Sequence, residues 1–518
     1  MVLADMYERN ALYFRDHPAI IFEGRTISFG EFFGRVKRLC NALAAGGARP
    51  RDRVAILAMN CPEYLEVQAA GGVAGFIAVG INYRLAAVEQ AAILRDCEPA
   101  VFIFESAYAE RAGELRAALP KDARLVCIGP APQWAESYEA IVSGAADRAL
   151  RYRARENDTV LLVYTSGTTG RAKGVMLSSE AQIELARNLA AAHTARQTDR
   201  MLIVMPFYHI GGTIESLTYW TAGATIILFR SFDARAILEA IQKYQVTAAH
   251  LAPTMIQMML EVCEQKHYDI SSVETICYAS APMSVTLSRR ANAVFGRIFV
   301  QIYGMSEGGP TTALLKHQHH LEGTAQETGR LASAGQPILG CEVRVVRDDG
   351  SDCAVGEVGE VWGRSKGMMQ GYWRNPEATR AAIGDGWMHS GDVGYFDDDH
   401  YLFIVDRKKD MIISGGENIY SREVEEALLL HPAVAEAAVI GVPDPKWGES
   451  VKACVAFKSG MRATAEELVE HCRTMIASYK KPKTVDVFDA LPRIPSTNKI
   501  DKKKLRETWW IGQERNVS

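Results

Sequence analysis

At 518 residues, with 48% hydrophobic and 23% charged side chains, the chain is too long for one ordinary core and too apolar for disorder, so two or more globular domains are expected. Its 62 acidic residues against 58 basic ones leave a formal net charge of -4, which excludes a whole-molecule field drawing it to nucleic acid or anionic lipid. Any anionic substrate has to be held by local groups.

Ten cysteines, scattered singly with no C-x-x-C pair, point to reduced thiols in a cytoplasmic protein and away from a disulfide scaffold or a zinc site. Asp5 and Glu8 stand where an export signal would carry a positive region and an apolar run. Apolar runs such as 71–81 are too short and too glycine-rich to span a bilayer, so no integral membrane segment is expected.

In chain order, the elements alternate. IIFEGRTIS predicts a hairpin turning at Glu23-Gly24, and Phe32, Phe33, Val36, Leu39, Cys40 and Leu43 recur at helical spacing before Gly46-Gly47. RVAILA, a helix after Pro62 and the run VFIF at Val101 follow. Strand and helix in alternation imply a mostly parallel sheet covered on both faces. The pattern returns from Met201 with MLIVM, TIILF, VTAAH and a helix after Pro253. An α/β fold is therefore expected, with a large N-terminal body of stacked sub-domains over residues 1–405.

At Asp406-Arg407-Lys408-Lys409-Asp410 the texture changes to a charged knot, the expected hinge being residues 406–409. Beyond it come MIIS, a Gly-Gly loop, the helix REVEEALLL with Ser421 as its cap, and a capping box of Thr464 with Glu467. With the strand-like AEAAVIGV, VKACVAFK and VDVF these make a small α+β domain over 410–518. No short repeat or low-complexity tract is present.

The strongest local signal follows the apolar run 159–164, where the chain reads Thr165-Ser166-Gly167-Thr168-Thr169-Gly170-Arg171-Ala172-Lys173-Gly174. A strand opening into Gly, Ser and Thr offers N–H groups and hydroxyls to phosphate oxygens, and Lys173 adds charge. Arg171 and Ala172 after Gly170 break G-x-x-x-x-G-K-[ST], which disfavours a kinase-like or motor-like P-loop.

This loop resembles the signature of the acyl-adenylate-forming superfamily, which contains acyl-CoA synthetases, peptide-synthetase adenylation domains and beetle luciferases. The resemblance continues through Pro206-Phe207-Tyr208-His209, Ala279-Ser280-Ala281-Pro282, Gln301-Ile302-Tyr303-Gly304-Met305-Ser306-Glu307 and Ser390-Gly391-Asp392. It extends to Asp406–Asp410, Ser414-Gly415-Gly416-Glu417-Asn418 and Ser496-Thr497-Asn498-Lys499, and so covers nearly the whole chain.

The resemblance implies ATP, Mg2+ and coenzyme A as cofactor and co-substrates, and a role for each matching residue. Tyr303-Gly304 would present an aromatic face and an unobstructed backbone to adenine, with 279–282 on the other side of the base. Gln301, Met305 and Ser306 belong to the same nucleotide-binding segment. Glu307 would hold the magnesium ion, a hard oxygen donor for a hard cation. Asp392 would accept from both ribose hydroxyls, with Arg407 near the ribose. His209 would stand between the acid pocket and the thiol tunnel. Lys499 would bridge acid and phosphate oxygens as charge builds at the α-phosphate; Asn498 stands before it where the family usually has glycine. For coenzyme A the matching residues are Gly415, Gly416, Trp447, Tyr479 and Lys481, and the pivot between half-reactions corresponds to Lys409.

The histidines of Lys316-His317-Gln318-His319-His320 read as a surface loop rather than a metal site, and Asp233 reads as a helix cap. The expected activity is an ATP-dependent carboxylic acid:CoA ligase, giving acyl-AMP and pyrophosphate, then acyl-CoA and AMP. The acid pocket is expected to be lined by 210–212, 278–281 and 304–310, several of them small, which suits a medium or long fatty acid or an aryl acid over acetate. The alternatives are a stand-alone adenylation protein loading a carrier-protein thiol, a luciferase-like oxygenase, and a nucleotide-binding regulator without catalysis. Whether the chain acts as a homo-oligomer stays open.

Overall fold

The computed structural model describes residues 1–165, 172–279, 283–415, 417–494 and 499–510. Two units emerge: the first is Met1–Val343, Trp362–Ser390 and His400–Leu402; the second is Arg344–Val361, Gly391–Asp399 and Phe403–Ser518.

The first unit holds two large sheets. One runs from Glu136–Ser137 at an edge through Arg124–Ile128, Val101–Glu105, Arg53–Leu57, Ile77–Gly80 and Thr159–Thr165, all parallel, then Lys173–Ser178 and Gly371–Tyr372, both antiparallel. The other has a parallel centre of Pro18–Phe22, Thr225–Leu228, Arg200–Ile203, Ala248–Leu251, Thr275–Tyr278 and Phe299–Tyr303. Arg25–Ser28 closes one edge of it, and Thr312–Leu314 with Gln336–Pro337 the other. Central strands such as Thr225–Leu228 are buried along their whole length, as a sheet covered on both faces requires.

Local signals set the helix ends. Ser28 accepts from the Glu31 N–H at 3.2 Å to start Phe29–Ala45, which stops at Gly46. Asp233 caps Ala234–Tyr244 by accepting from the Ala236 N–H at 2.8 Å, the role read from sequence. Glu23 and Gly24 both take positive φ, 48° and 81°, so the first hairpin turns where expected. Its sheet is not the expected one: Ile20 to Phe22 pair with Ile226 to Leu228 in the second alternating stretch. Local spacing carries no information about a partner some two hundred residues away.

In the second unit, Gly448–Phe457 is the central strand of a five-stranded sheet, flanked by Val434–Asp444, Ile412–Ser414 with Glu417–Ile419, and Thr484–Phe488. Val424, Leu428, Val439, Ala453, Val455 and Leu468 fill its core. Thr464 and Glu467 form the expected capping box of Ala465–Met475. Ser421 is not the cap of Ser421–Leu429; Tyr420 holds that position, and Asp406 accepts from the Ser421 N–H instead. A carboxylate from strand Leu402–Arg407 satisfies a first-turn donor that a local hydroxyl was expected to serve. Strands Cys341–Val346, Gly359–Ser365, Ile383–Gly384, Trp387–Phe396 and Leu402–Arg407, drawn from both units, form a further five-stranded sheet. No helix among the described residues is long and apolar enough to cross a membrane.

Candidate active site

In the first unit, the residues singled out by sequence gather at the carboxyl ends of parallel strands, where open α/β sheets bind ligands. Thr165 ends Thr159–Thr165, His209 follows Arg200–Ile203, Ala279 follows Thr275–Tyr278, and Tyr303 ends Phe299–Tyr303. Thr165 and Lys173 are paired across antiparallel strands, so both ends of the Ser/Thr/Gly loop are fixed by the sheet. Residues 166–171 of that loop lie outside the described residues, as do Ser280, Ala281 and Pro282.

Glu307 is 8% exposed and accepts from the Tyr372 hydroxyl at 2.9 Å through Oε1. Its carbonyl accepts from the Met369 N–H at 2.8 Å. Burial, then the Glu307 charge, raises the Tyr372 phenol well above its ordinary value, so the ring stays a neutral donor. Lys173 Nζ lies 5.0 Å from the Tyr372 ring centroid, placing a cation, an aromatic ring and a carboxylate in a row beside the loop's end. Gly304 is exposed, and a Cβ there would meet nothing closer than Thr311 Oγ1 at 3.7 Å. Gln301 accepts from the Tyr278 hydroxyl at 3.1 Å, and Tyr303, Met305 and Ser306 are half-buried beyond it.

His209 is the N-cap residue of Ile210–Ala222 and is half-buried against the Tyr208 ring, with centroids 5.6 Å apart. Gly212 admits no side chain, because a Cβ would stand 2.5 Å from the Met205 carbonyl oxygen. The 316–320 segment is not the surface loop expected: His319 is 1% exposed, accepts or donates to the Tyr278 hydroxyl at 3.1 Å, and pairs Nδ1 with the Leu315 carbonyl at 2.9 Å. A polar run concealed one buried, hydrogen-bonded histidine.

Within the second unit, Asp392 is 5% exposed and Arg407 Nε meets its Oδ1 at 2.5 Å. Lys499 is exposed at the foot of a hairpin closed by a bridge between Arg493 and Ile500, and its carbonyl accepts from the Ile494 N–H at 2.8 Å. Residues 495–498, including Ser496, Thr497 and Asn498, lie outside the described residues. Reduced hydration, then the Arg407 cation, lower the Lys499 ammonium below the usual lysine value against an opposing pull from Asp392. The basic helix Lys502–Glu507 that follows is anchored rather than solvated: Lys502 pairs with Glu425 and Arg506 with Asp410, each at 2.7 Å. These pairs hold the Lys499 hairpin against its own domain.

Gly415 takes φ +62°, donates its N–H to the Trp447 carbonyl at 2.8 Å, and has no room for a Cβ, which would stand 2.6 Å from Trp447 Cε3. Gly416 lies outside the described residues. Trp447 and Tyr479 are 46% and 54% exposed, large aromatic faces left in solvent, and Lys481 is half-buried. Lys409 is exposed in a 3-10 turn over Lys408–Asp410.

Residues 7–373 match the AMP-binding enzyme family, and residues 423–498 match the AMP-binding enzyme C-terminal domain. The chain belongs to the AMP-binding enzyme family. It is similar to the indoleacetate–CoA ligase of Aromatoleum aromaticum, 36% identical over 98% of each chain. It is also similar to a feruloyl-CoA synthase of an Amycolatopsis species, 38% identical over 94% of this chain and 95% of that one. Among solved structures, the o-succinylbenzoate CoA synthetase of Bacillus subtilis in complex with its acyl-adenylate superposes with a TM-score of 0.86 at 30% identity, covering 97% and 98% of the two chains.

As a member of this family the chain is an acid–thiol ligase of the AMP-forming acyl-CoA synthetase type, using ATP, Mg2+ and coenzyme A. Glu307 fits the metal: a carboxylate with one oxygen steadied by Tyr372 and the other left without a bond among the described residues is a hard, oriented donor. Magnesium supplies charge neutralisation on the ATP phosphates. Tyr372 escaped the sequence reading, since only its place in Gly371-Tyr372-Trp373, an aromatic run after a glycine, hinted at a buried partner.

Proposed function

We propose that this enzyme activates an aryl acid or a medium- to long-chain fatty acid, and that coenzyme A rather than a carrier-protein thiol receives the acyl group. The observation that carries the acid class is the likeness over most of the chain to CoA ligases named for aryl and long-chain fatty acids. Gly211 and Gly212 serve packing at the start of helix Ile210–Ala222, where a Cβ would meet His250 Cε1 at 3.0 Å and the Met205 carbonyl oxygen at 2.5 Å. The aryl acids named for the two relatives support the same class. In the first step a carboxylate oxygen attacks the α-phosphorus and pyrophosphate departs; in the second the coenzyme A thiol attacks the acyl carbonyl and AMP departs.

In this reading Lys499 stabilises the charge growing at the α-phosphate, Asp392 and Arg407 hold the ribose, and Tyr303, Gly304 and Ala279 to Pro282 take the adenine. The loop 165–173 wraps the phosphates and Glu307 orients magnesium. His209 gates the path between acid and thiol. Gly415, Gly416, Trp447, Tyr479 and Lys481 receive coenzyme A. The catalytic and nucleotide-binding body ends near residue 405, Lys409 is the pivot, and residues 410–518 turn about it between steps. Ten free cysteines, seven of them buried, support a reducing, cytoplasmic setting. A panel of acids from acetate through long-chain and cinnamic types, scored by coenzyme A-dependent AMP formation, tests the assignment. Preference for acetate refutes the acid class, and AMP formation with a carrier protein but not with coenzyme A refutes the acceptor.

A further inference from the structure

Behind the segments that carry His209 and Ala279 lies a polar cluster that the adenylation chemistry does not use. His193 ends helix Ser179–His193, Glu215 sits in the second turn of Ile210–Ala222, and Cys277 lies in strand Thr275–Tyr278. All three are at most 2% exposed. One donor atom of each lies within 4.8 Å of the other two. His193 Nδ1 is 3.4 Å from Glu215 Oε2, and Cys277 Sγ is 3.7 Å from Glu215 Oε1. Ligand atoms about a tetrahedral zinc stand roughly 3.3–3.8 Å apart, given bonds of about 2.0–2.3 Å to N, O and S.

Unsatisfied bonding capacity marks the cluster independently of its spacing. Neither ring nitrogen of His193 nor Glu215 Oε2 has a hydrogen-bond partner among the described residues. Buried polar atoms are nearly always paired, and orphans such as His193 Nδ1 and Glu215 Oε2 are costly unless something joins them. His250 stands beside the cluster but outside its 4.8 Å group: it is the register partner of Cys277 on the adjacent parallel strand, so both side chains leave the same face of the sheet. Both of its ring nitrogens are also without a hydrogen bond, and it is 2% exposed.

We propose that His193, Glu215 and Cys277 form a structural site for a borderline divalent metal ion of the zinc type, which draws in the neighbouring His250 as its fourth ligand. An imidazole, a carboxylate and a thiolate make a donor set that favours zinc over magnesium. A thiolate and a carboxylate also neutralise the ion's charge inside the core. The ligands come from two helices and two strands spread over residues 193–277, which is why the absence of a C-x-x-C pair says nothing against them. The metal would tie the helix that begins after His209 to the strand that ends before Ala279, fixing two walls of the acid-binding region. The proposal is independent of which acid is used.

The full-length enzyme, refolded and purified with excess zinc and then dialysed without chelator, is expected to hold about one zinc per chain by plasma mass spectrometry. Replacing zinc by cobalt should give a near-ultraviolet thiolate-to-cobalt absorption band that is lost in Cys277→Ser. Zinc should raise the thermal midpoint of the wild type and leave that of Glu215→Gln unchanged. If variants fail to fold, the wild-type cobalt spectrum decides alone. Wild type without zinc and without the cobalt band overturns the site, and so does zinc held equally by wild type and folded Cys277→Ser.

Discussion

Replacing Gly415 with alanine separates backbone strain from function. At φ +62° a Cβ meets Trp447 Cε3 at 2.6 Å and Cζ3 at 3.1 Å. Holding alanine in the left-handed region costs roughly 1–2 kcal/mol. Ordinary contact begins near 3.4 Å, so the indole must withdraw by most of an ångström. Trp447 is 46% exposed and can move into solvent, so the loss of stability should remain close to the backbone cost. The displaced face is the one assigned to coenzyme A, so thioester formation should slow about tenfold, equivalent to 1.4 kcal/mol, while adenylation stays within about twofold. Pyrophosphate release without coenzyme A measures the first step, single-turnover transfer from supplied acyl-AMP the second, and urea unfolding the strain. Equal losses in both steps, or unchanged transfer despite the expected destabilisation, would refute the assignment of this surface to the thiol.

Lys499→Ala should lower acyl-AMP formation by at least about a hundredfold, near 3 kcal/mol, with nucleotide binding and transfer from supplied acyl-AMP retained. Near-normal pyrophosphate release would remove Lys499 from the chemistry. Because the Lys499 ammonium is lowered and its charged form does the work, adenylation should fall as pH rises through that lowered value. Lys499→Arg, charged at every accessible pH, should abolish that alkaline limb whatever its absolute rate. Lys409→Pro suits the φ of the 3-10 turn at its own position but drives Lys408 out of the helical region. The variant should therefore disfavour the arrangement that sets Lys499 near Asp392 and Arg407, slowing adenylation more than transfer; equal rates in both steps would move the pivot elsewhere. Arg35→Ala strands the buried Glu66, now paired at 2.6 Å, and should cost about 3–5 kcal/mol in chemical unfolding.

The elements of the sheets were legible because buried parallel strands are short apolar runs and their helices end at Gly, Pro and capping residues. Glu307 and Asp392 were legible only inside their ordered motifs, since a lone carboxylate has no signature. What escaped detection was long-range. Tyr372 finds Glu307 across 65 residues, Asp406 replaces Ser421 as the partner of a helix N–H, and His319 is buried against Tyr278 despite its polar neighbours. In each case a tertiary partner decides what a side chain does, and the local sequence records only that the side chain can bond.

The pairing of the first hairpin with strand Thr225–Leu228 also sets an order of events during synthesis. Ile20 leaves the ribosome with its β-branched neighbours and must wait for Ile226, about 200 residues later, before it has a strand to lie against. At roughly 5–20 residues per second that interval is about 10–40 s. For that time the hairpin Pro18–Ser28 is an unpaired, largely apolar edge. The same geometry makes the opening residues the closing strand of the nine-stranded sheet, so a nascent chain truncated before Thr225 is expected to need a chaperone where the complete one does not.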